Sequence, residues 1–305
     1  MVKVGVVGLG DIAQKAYLPI ISSRADVEVH LYSSNTTKLA DLGQKYRFTN
    51  LHPTLEAFLN SGITGAMVHV ATDAHYELVE TLLQHGIHVY VDKPITMHYA
   101  ASERLVALAE KNSLLLQVGF NRRYAPVYQK LKELTSPTLI IMQKNRQALP
   151  DNVRRFVVED FIHVVDTLRY LFPYPIEDIV VHGKRNGDLL HHLVVQLVNS
   201  QAIAIGIMNR DTGTTEEKVE VMNATEKRVA YNVADLEIQQ ARHTTRLGGS
   251  DWESTLHKRG FDFLIDDFLQ ALHNPAHTPK ISSRDALRTH EICEIIVNKL
   301  TAISH

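Results

Sequence analysis

The chain has 305 residues, 45% of them apolar and 22% charged, a balance ordinary for a globular protein and long enough that two domains are the default expectation. Lysine and arginine number 32 against 34 acids, so no basic field argues for nucleic acid or a membrane surface, and the expected partner is a small molecule. The single cysteine, Cys293, excludes an intrachain disulfide framework and fits a reducing cytoplasm, while no run reaches the roughly 18 apolar residues of a membrane span.

At the start, Val2, Val4, Val6 and Val7 form a β-branched run that reads as a buried strand. Gly8, Gly10 and Ala13 follow it at the G-x-G-x-x-A spacing. This order of strand, glycine turn and helix is what a dinucleotide requires: a tight turn, close backbone approach to the pyrophosphate, and a helix whose unpaired N–H groups face the phosphates. Asp11 and Ile12 lie inside the same turn. Gly5, Gly8, Gly10, Asp11 and Lys15 interrupt residues 1 to 22, which therefore lack the apolar core of a secretory leader.

A helix is expected over 12–21 and a second strand over 27–32. An acid about 20 residues beyond the glycines ordinarily accepts the ribose hydroxyls of NAD. Here the region reads Ser33-Ser34-Asn35-Thr36-Thr37-Lys38, without an acid. Ser33, Ser34 and Lys38 suit a 2′-phosphate, so NADP is tolerated or preferred on this reading; on the other, the stretch is a strand-to-helix turn capped by Asn35 or Thr36. Helices over 39–46, 54–59, 76–84 and 100–111 then alternate with strands over 65–71, 89–91 and 114–118. That alternation predicts a doubly wound parallel sheet, with ligands at the carboxyl ends of its strands. Those ends carry Thr72 and His75, then Asp92-Lys93-Pro94, then Asn121-Arg122-Arg123; of these Thr72, His75, Asp92 and Pro94 are the candidates for the cofactor.

Beyond residue 120 the pattern changes. Helices are expected over 127–134 and 159–172, a strand over 138–144, and alternating strands over 179–183, 189–198, 202–208, 218–222 and 228–232, as in a large, mostly antiparallel sheet with one open face. Helices near 260–272 and 285–300 close the chain. Two domains result: 1–119 for the dinucleotide, and 120–305 for substrate and oligomerisation, with the last helix, about 284–303, packing back on the first.

Proline biases Lys93 towards an extended conformation and projects its ammonium from a strand end, where it suits a substrate oxygen. Glu159, His163 and Asp166 fall at helical spacing on one face, and a histidine flanked by carboxylates gains basicity and orientation. Asn121 and Arg122 offer polar donors for a polar or anionic substrate; the arginines equally suit salt bridges between domains. No metal is expected, because spacing places no third or fourth ligand beside His163.

Together these residues resemble the Gfo/Idh/MocA family of NAD(P)-dependent oxidoreductases. The resemblance rests on G-L-G-D-I-A at 8–13, Ala71-Thr72, G-I-H-V-Y-V-D-K-P at 86–94, G-F-N-R-R-Y at 119–124 and the helix ending in Asp166, and within the family it points to the virulence-factor-type branch. It implies a Rossmann domain followed by an α/β domain whose open sheet forms a homodimer or homotetramer. It further implies that Lys93 is the catalytic lysine, His163 the catalytic histidine and Glu159 its acid. Asp92 stands where the family usually has glutamate, and Glu159 where it usually has aspartate. The expected activity is hydride transfer between nicotinamide and a secondary alcohol or ketone of a sugar, polyol or similar compound. The alternatives are a non-catalytic NAD(P)-binding regulator and a reductase of another carbonyl or imine class.

Overall fold

The computed structural model describes residues 1–302. Its contacts cluster into two units: residues 1–119 with 261–288, and residues 120–260 with the chain from Thr289 onward.

In the first unit β1 (Val2–Val7) leads into a π turn (Ala13–Tyr17) and α1 (Leu18–Ile21). There follow β2 (Val27–Tyr32), α2 (Thr36–Tyr46), β3 (Asn50–His52), α3 (Leu55–Leu59) and β4 (Gly65–Val68). A short 3-10 turn (Thr72–Ala74), α4 (His75–Gln84), β5 (His88–Val91), α5 (Tyr99–Lys111) and β6 (Leu116–Val118) complete the series. Among the described residues these strands make a six-stranded sheet in the order β3-β2-β1-β4-β5-β6, with every ladder parallel. Parallel strands need covering on both faces, and Val4, Val6, Ala66, Met67, Val89 and Val91 are all fully buried. Sequence order reverses between β1 and β4, and the carboxyl ends of strands at such a switch point are where doubly wound sheets bind ligands.

The second unit opens with a 3-10 turn (Asn121–Tyr124), α6 (Pro126–Lys132), β7 (Leu139–Asn145) and β8 (Asp151–Asn152). One continuous helical run follows, made of α7 (Val153–Arg155), a π turn (Phe156–Phe161) and α8 (Ile162–Leu171). Then come β9 (Asp178–Asn186), β10 (Leu189–Asn199), β11 (Ala202–Asn209), β12 (Glu216–Met222), β13 (Lys227–Tyr231), β14 (Asp235–Gln240), β15 (His243–Leu247) and α9 (Thr255–Lys258). Among the described residues the sheet has nine strands, ordered β15-β14-β13-β12-β7-β11-β10-β8 with β9 also on β10. The β7–β11 ladder is parallel and the others antiparallel. On β11 the inward positions Ala202, Ala204, Gly206 and Met208 are buried. The small residues matter because α8 lies against them: a Cβ on Gly206 would stand 2.7 Å from Val164 and 3.0 Å from Leu168.

α10 (Phe261–His273) belongs to the first unit, where Phe268 packs edge-on to Tyr90 with ring centroids 5.6 Å apart. α11 (Ser283–Ala302) is assigned to the first unit through Arg288 and to the second from Thr289. Among the described residues no helix is long and apolar enough to cross a membrane.

Several boundaries differ from the expectations. The strand predicted to reach Ala71 stops at Val68, and a 3-10 turn begins at Thr72. β3, β8, β14 and β15 were not anticipated: β3 and β8 are three and two residues long, and every residue of β15 is exposed, so none of these three carries the alternation that reveals a half-buried strand. The two helices predicted over 12–21 and 159–172 each contain a π turn.

Candidate active site

At the end of β1, Gly8 has φ +85°, a conformation natural only to glycine. A Cβ there would stand 2.3 Å from the His69 carbonyl carbon and the Val70 nitrogen, backbone that leaves β4. Gly8 is therefore fixed by the close approach of the two strand ends. Gly10 is different: a Cβ on it would meet nothing within 4 Å, so its backbone faces open space, as a pyrophosphate approaching the chain requires. The helical run opens at Asp11, and Ala13 is fully buried. Asp11 pairs on the surface with Lys15 at 2.9 Å, while Ile12 is exposed beside it. These residues fit a dinucleotide: a glycine that no neighbour crowds, at the amino end of a helix, at the switch point of the sheet.

After β2, Ser33 Oγ accepts from the Asn35 amide at 3.2 Å and Asn35 Oδ1 accepts from the Lys38 amide at 2.9 Å. Asn35 is thus the N-cap of α2. Ser34 and Lys38 are exposed and Ser33 half-buried; the side chains of Ser34 and Lys38 take no part in the cap, whereas Ser33 Oγ does.

Three further loops carry the remaining candidates of this unit. Thr72 begins the 3-10 turn after β4 and is half-buried. His75 is buried, with Nδ1 2.8 Å from the Pro94 carbonyl and Nε2 3.1 Å from that of Val70. Its ring thereby ties the loop after β4 to the loop after β5. Lys93 is half-buried in that second loop, its amide donating to Asp92 Oδ1 at 2.9 Å, and the Lys93–Pro94 peptide is cis. Beneath them lies a polar group that sequence reasoning missed: Tyr17 and Tyr90 share a hydroxyl–hydroxyl hydrogen bond of 2.7 Å, and His69 Nδ1 stands 3.6 Å from Asp92 Oδ2. Burial, reinforced by the Asp92 carboxylate, raises both tyrosine pKa values well above the ordinary value. Both hydroxyls remain protonated donors at any physiological pH.

In the second unit Asn121, Arg122 and Arg123 occupy the 3-10 turn, and all three are buried and partnered. Asn121 Nδ2 donates to the Arg259 carbonyl at 2.8 Å. Arg122 donates through Nε and Nη2 to Glu217 at 2.7 and 2.6 Å, and the Tyr128 hydroxyl donates to the same carboxylate at 2.5 Å. Arg123 donates from Nη2 to Asp166 Oδ1 at 2.6 Å, and Thr289 Oγ1 reaches that oxygen at 3.0 Å.

The helix that carries Glu159, His163 and Asp166 is not one regular α-helix. Its π turn ends at Phe161, between Glu159 and His163. Glu159 stands 3.7 Å from Arg155, His163 is half-buried, and Asp166 is committed to Arg123 and Thr289. Asp160, which the sequence did not single out, is the most heavily engaged acid here. It receives the Lys144 ammonium and Arg146, the latter from Nε at 3.1 Å and Nη2 at 3.3 Å. Lys144 also reaches the Asp160 carbonyl at 3.4 Å, inside the π turn. Burial would raise the Asp160 pKa, but the two cations override it and hold the carboxyl well below its usual range. Burial also lowers Lys144 to about 7 against the pull of Asp160, with Arg122 and Arg146 adding to the depression. Among the described residues no group of three or more His, Cys, Asp or Glu is placed to hold a metal ion.

Comparison with known proteins bears on this arrangement. Residues 2–120 match a family model described as an oxidoreductase family with an NAD-binding Rossmann fold, and residues 126–244 match one described as a YceM-like C-terminal domain. The YceM protein of Salmonella typhimurium is 30% identical, over 96% of each chain. A solved Gfo/Idh/MocA family oxidoreductase from Vibrio cholerae is 31% identical, covers 99% of each chain and superposes with a TM-score of 0.92. The chain belongs to the Gfo/Idh/MocA family of oxidoreductases. A more distant relative, a myo-inositol 2-dehydrogenase from Thermotoga maritima, is 24% identical over 76% of each chain.

Membership makes the NAD-binding character of the first unit a family property, in agreement with the fit of the Gly8–Ala13 turn. Tyr17, His69 and Glu217 lie in no short motif, and it is partners distant in sequence that identify them; Asp160 lies inside the Glu159–Asp166 string, where the spacing to His163 draws attention to Glu159 instead. Tyr17 and Tyr90 are 73 residues apart, and Arg122 and Glu217 are 95 apart.

Proposed function

We propose that this oxidoreductase transfers hydride reversibly between a nicotinamide dinucleotide and a secondary alcohol or ketone of a sugar, polyol or related small polar compound, in the cytoplasm. The observation that carries the reading is the turn at Gly8–Ala13, where Gly10 faces open space at the switch point of the sheet, in a chain whose family model is described as NAD-binding. The relative named as a myo-inositol 2-dehydrogenase supports a polyol-like substrate.

When bound, the nicotinamide supplies the hydride acceptor or donor. Lys93, leaving β5, hydrogen-bonds the substrate oxygen and stabilises the developing alkoxide. His163 takes the hydroxyl proton on its imidazole during oxidation and returns it during reduction. Glu159 orients that imidazole, and Asp166 steadies α8 through Arg123 and Thr289. Thr72, Asp92, Pro94 and His75 shape the loops at the strand ends, and Asn121 with Arg122 shapes the substrate side through the 3-10 turn. Ser33, Ser34 and Lys38 hold a 2′-phosphate, so that NADPH serves as well as NADH. A second copy of the chain covers the open face of the nine-stranded sheet, where Ile203, Ile205 and Ile207 point away from α8.

Purified protein assayed with both cofactors against a panel of sugars and polyols tests these roles. Lys93→Ala and His163→Ala lower kcat/KM by about 10²–10⁴-fold while NADH affinity is unchanged, and parent-like turnover by either variant removes its residue from the mechanism. In the same assay Lys38→Ala lowers NADPH affinity relative to NADH; an unaltered ratio rules out the 2′-phosphate contact.

A further inference from the structure

Arg122 and Arg123 are the arginines that the sequence offers to an anionic substrate, and each is closed on a buried carboxylate. Positive charge collects elsewhere, at the carboxyl ends of the parallel neighbours β7 and β11. Lys144 is the penultimate residue of β7, Arg146 follows that strand, and Arg210 follows β11. Arg155 adds a fourth cation from α7, beside Glu159. The facing acids are Asp151, Glu159 and Asp160, and Lys144 also stands opposite the Glu217–Arg122 pair, so the cations outnumber the carboxylates by at most one.

Two of the guanidinium groups are not fully used. Arg146 spends Nε and Nη2 on Asp160 and keeps 37% of its side chain exposed, leaving Nη1 able to donate. Arg210 is only 5% exposed, yet its Nε has no hydrogen-bond partner and its Nη1 lies 3.8 Å from Asp151, beyond hydrogen-bond reach. The ring of Phe156 lies against it, 5.1 Å from the guanidinium carbon to the ring centroid. A buried cation without a hydrogen-bonded counter-charge is costly. At the carboxyl end of a strand, next to the turn that carries Glu159, it is suited to a bound anion.

We propose that this patch binds the acidic group of the substrate, a carboxylate or a phosphate ester on the sugar or polyol, with Arg146 in contact and Arg210 reinforcing the charge behind it. The inference rests on the reading of the Glu159–His163 helix as the catalytic one, and it narrows the substrate from polar compounds in general to acidic ones. Arg210 and Arg146 are 64 residues apart in the chain, and only the parallel pairing of β7 with β11 places them together.

The test is calorimetric titration of the full chain, with and without saturating NADH, using D-gluconate, D-glucose 6-phosphate and D-glucose as probes. At least one acid binds about tenfold or more tightly than glucose, and the advantage shrinks at high salt. The stronger acid tells carboxylate from phosphate. Arg146→Gln abolishes the advantage, whereas Arg146→Lys, which keeps the charge, retains most of it; melting temperature and NADH affinity check that both variants are folded. Absence of binding by both acids, glucose binding as tightly as either, or an advantage that survives Arg146→Gln overturns the proposal. Parent protein that binds acids but not NADH contradicts the oxidoreductase reading instead, so the two failures are separable.

Discussion

Glu217 and Arg122 show how charged side chains hold the second unit together. Burial alone would raise the Glu217 pKa from its ordinary 4.5, but the bidentate Arg122 guanidinium overrides burial and leaves it at about 2. A carboxyl whose folded value is depressed contributes its full stability above the unfolded value and loses it as pH falls through the folded one. Melting temperature is therefore predicted to fall between pH about 4.5 and about 2. Glu217→Ala, which strands a buried guanidinium, costs about 3–5 kcal/mol at neutral pH and flattens that acid limb. A denaturant titration showing no loss would mean that the pair contributes nothing. The N-R-R-Y string marked Arg122 and Arg123 as special without revealing that each is taken by an acid. Asp92 carries a related lesson. It falls at a position legible from the D-K-P motif, but only the structure shows its carboxylate 3.6 Å from His69 and acting on the buried hydroxyls of Tyr17 and Tyr90.

Elements were legible where one period ran through them. The valine run of β1, the parallel strands of the first unit and the amphipathic α4, α5 and α10 follow directly from hydrophobic spacing. The π turns at Ala13–Tyr17 and Phe156–Phe161 do not. An inserted residue widens one turn without changing which residues are apolar, and the pattern on either side still reads as an α-helix. The second π turn changes how Glu159 and Asp160 are presented, and Lys144 bonding to the Asp160 carbonyl helps to hold it. β11 is apolar on both faces, with alanines and a glycine inward and isoleucines outward. Such a strand is ordinary when both faces are covered, and a second copy would cover the outer one. Ile205→Lys is predicted to shift the protein to monomer in light scattering with little change in secondary structure; an unchanged mass would move any interface elsewhere.

Across the whole molecule, the strand order places the glycine turn at the reversal between β1 and β4, and the sequence had the main steps of this arrangement: strand, turn, helix and alternation. The partners of the nine-stranded sheet were less legible, because antiparallel neighbours are chosen by cross-strand contacts that alternation does not encode. The account depends on the Gly8–Ala13 turn being a dinucleotide cradle, and Gly10 allows this to be tested cleanly because no neighbour stands where its Cβ would go. A valine there crowds a bound pyrophosphate without disturbing the fold. The decisive measurement is a fluorescence titration of NADH into the parent and Gly10→Val, each checked by melting temperature. The account predicts saturable binding to the parent, with affinity at least about 100-fold weaker in a variant that melts like the parent. Equal NADH affinity in the two proteins would contradict it.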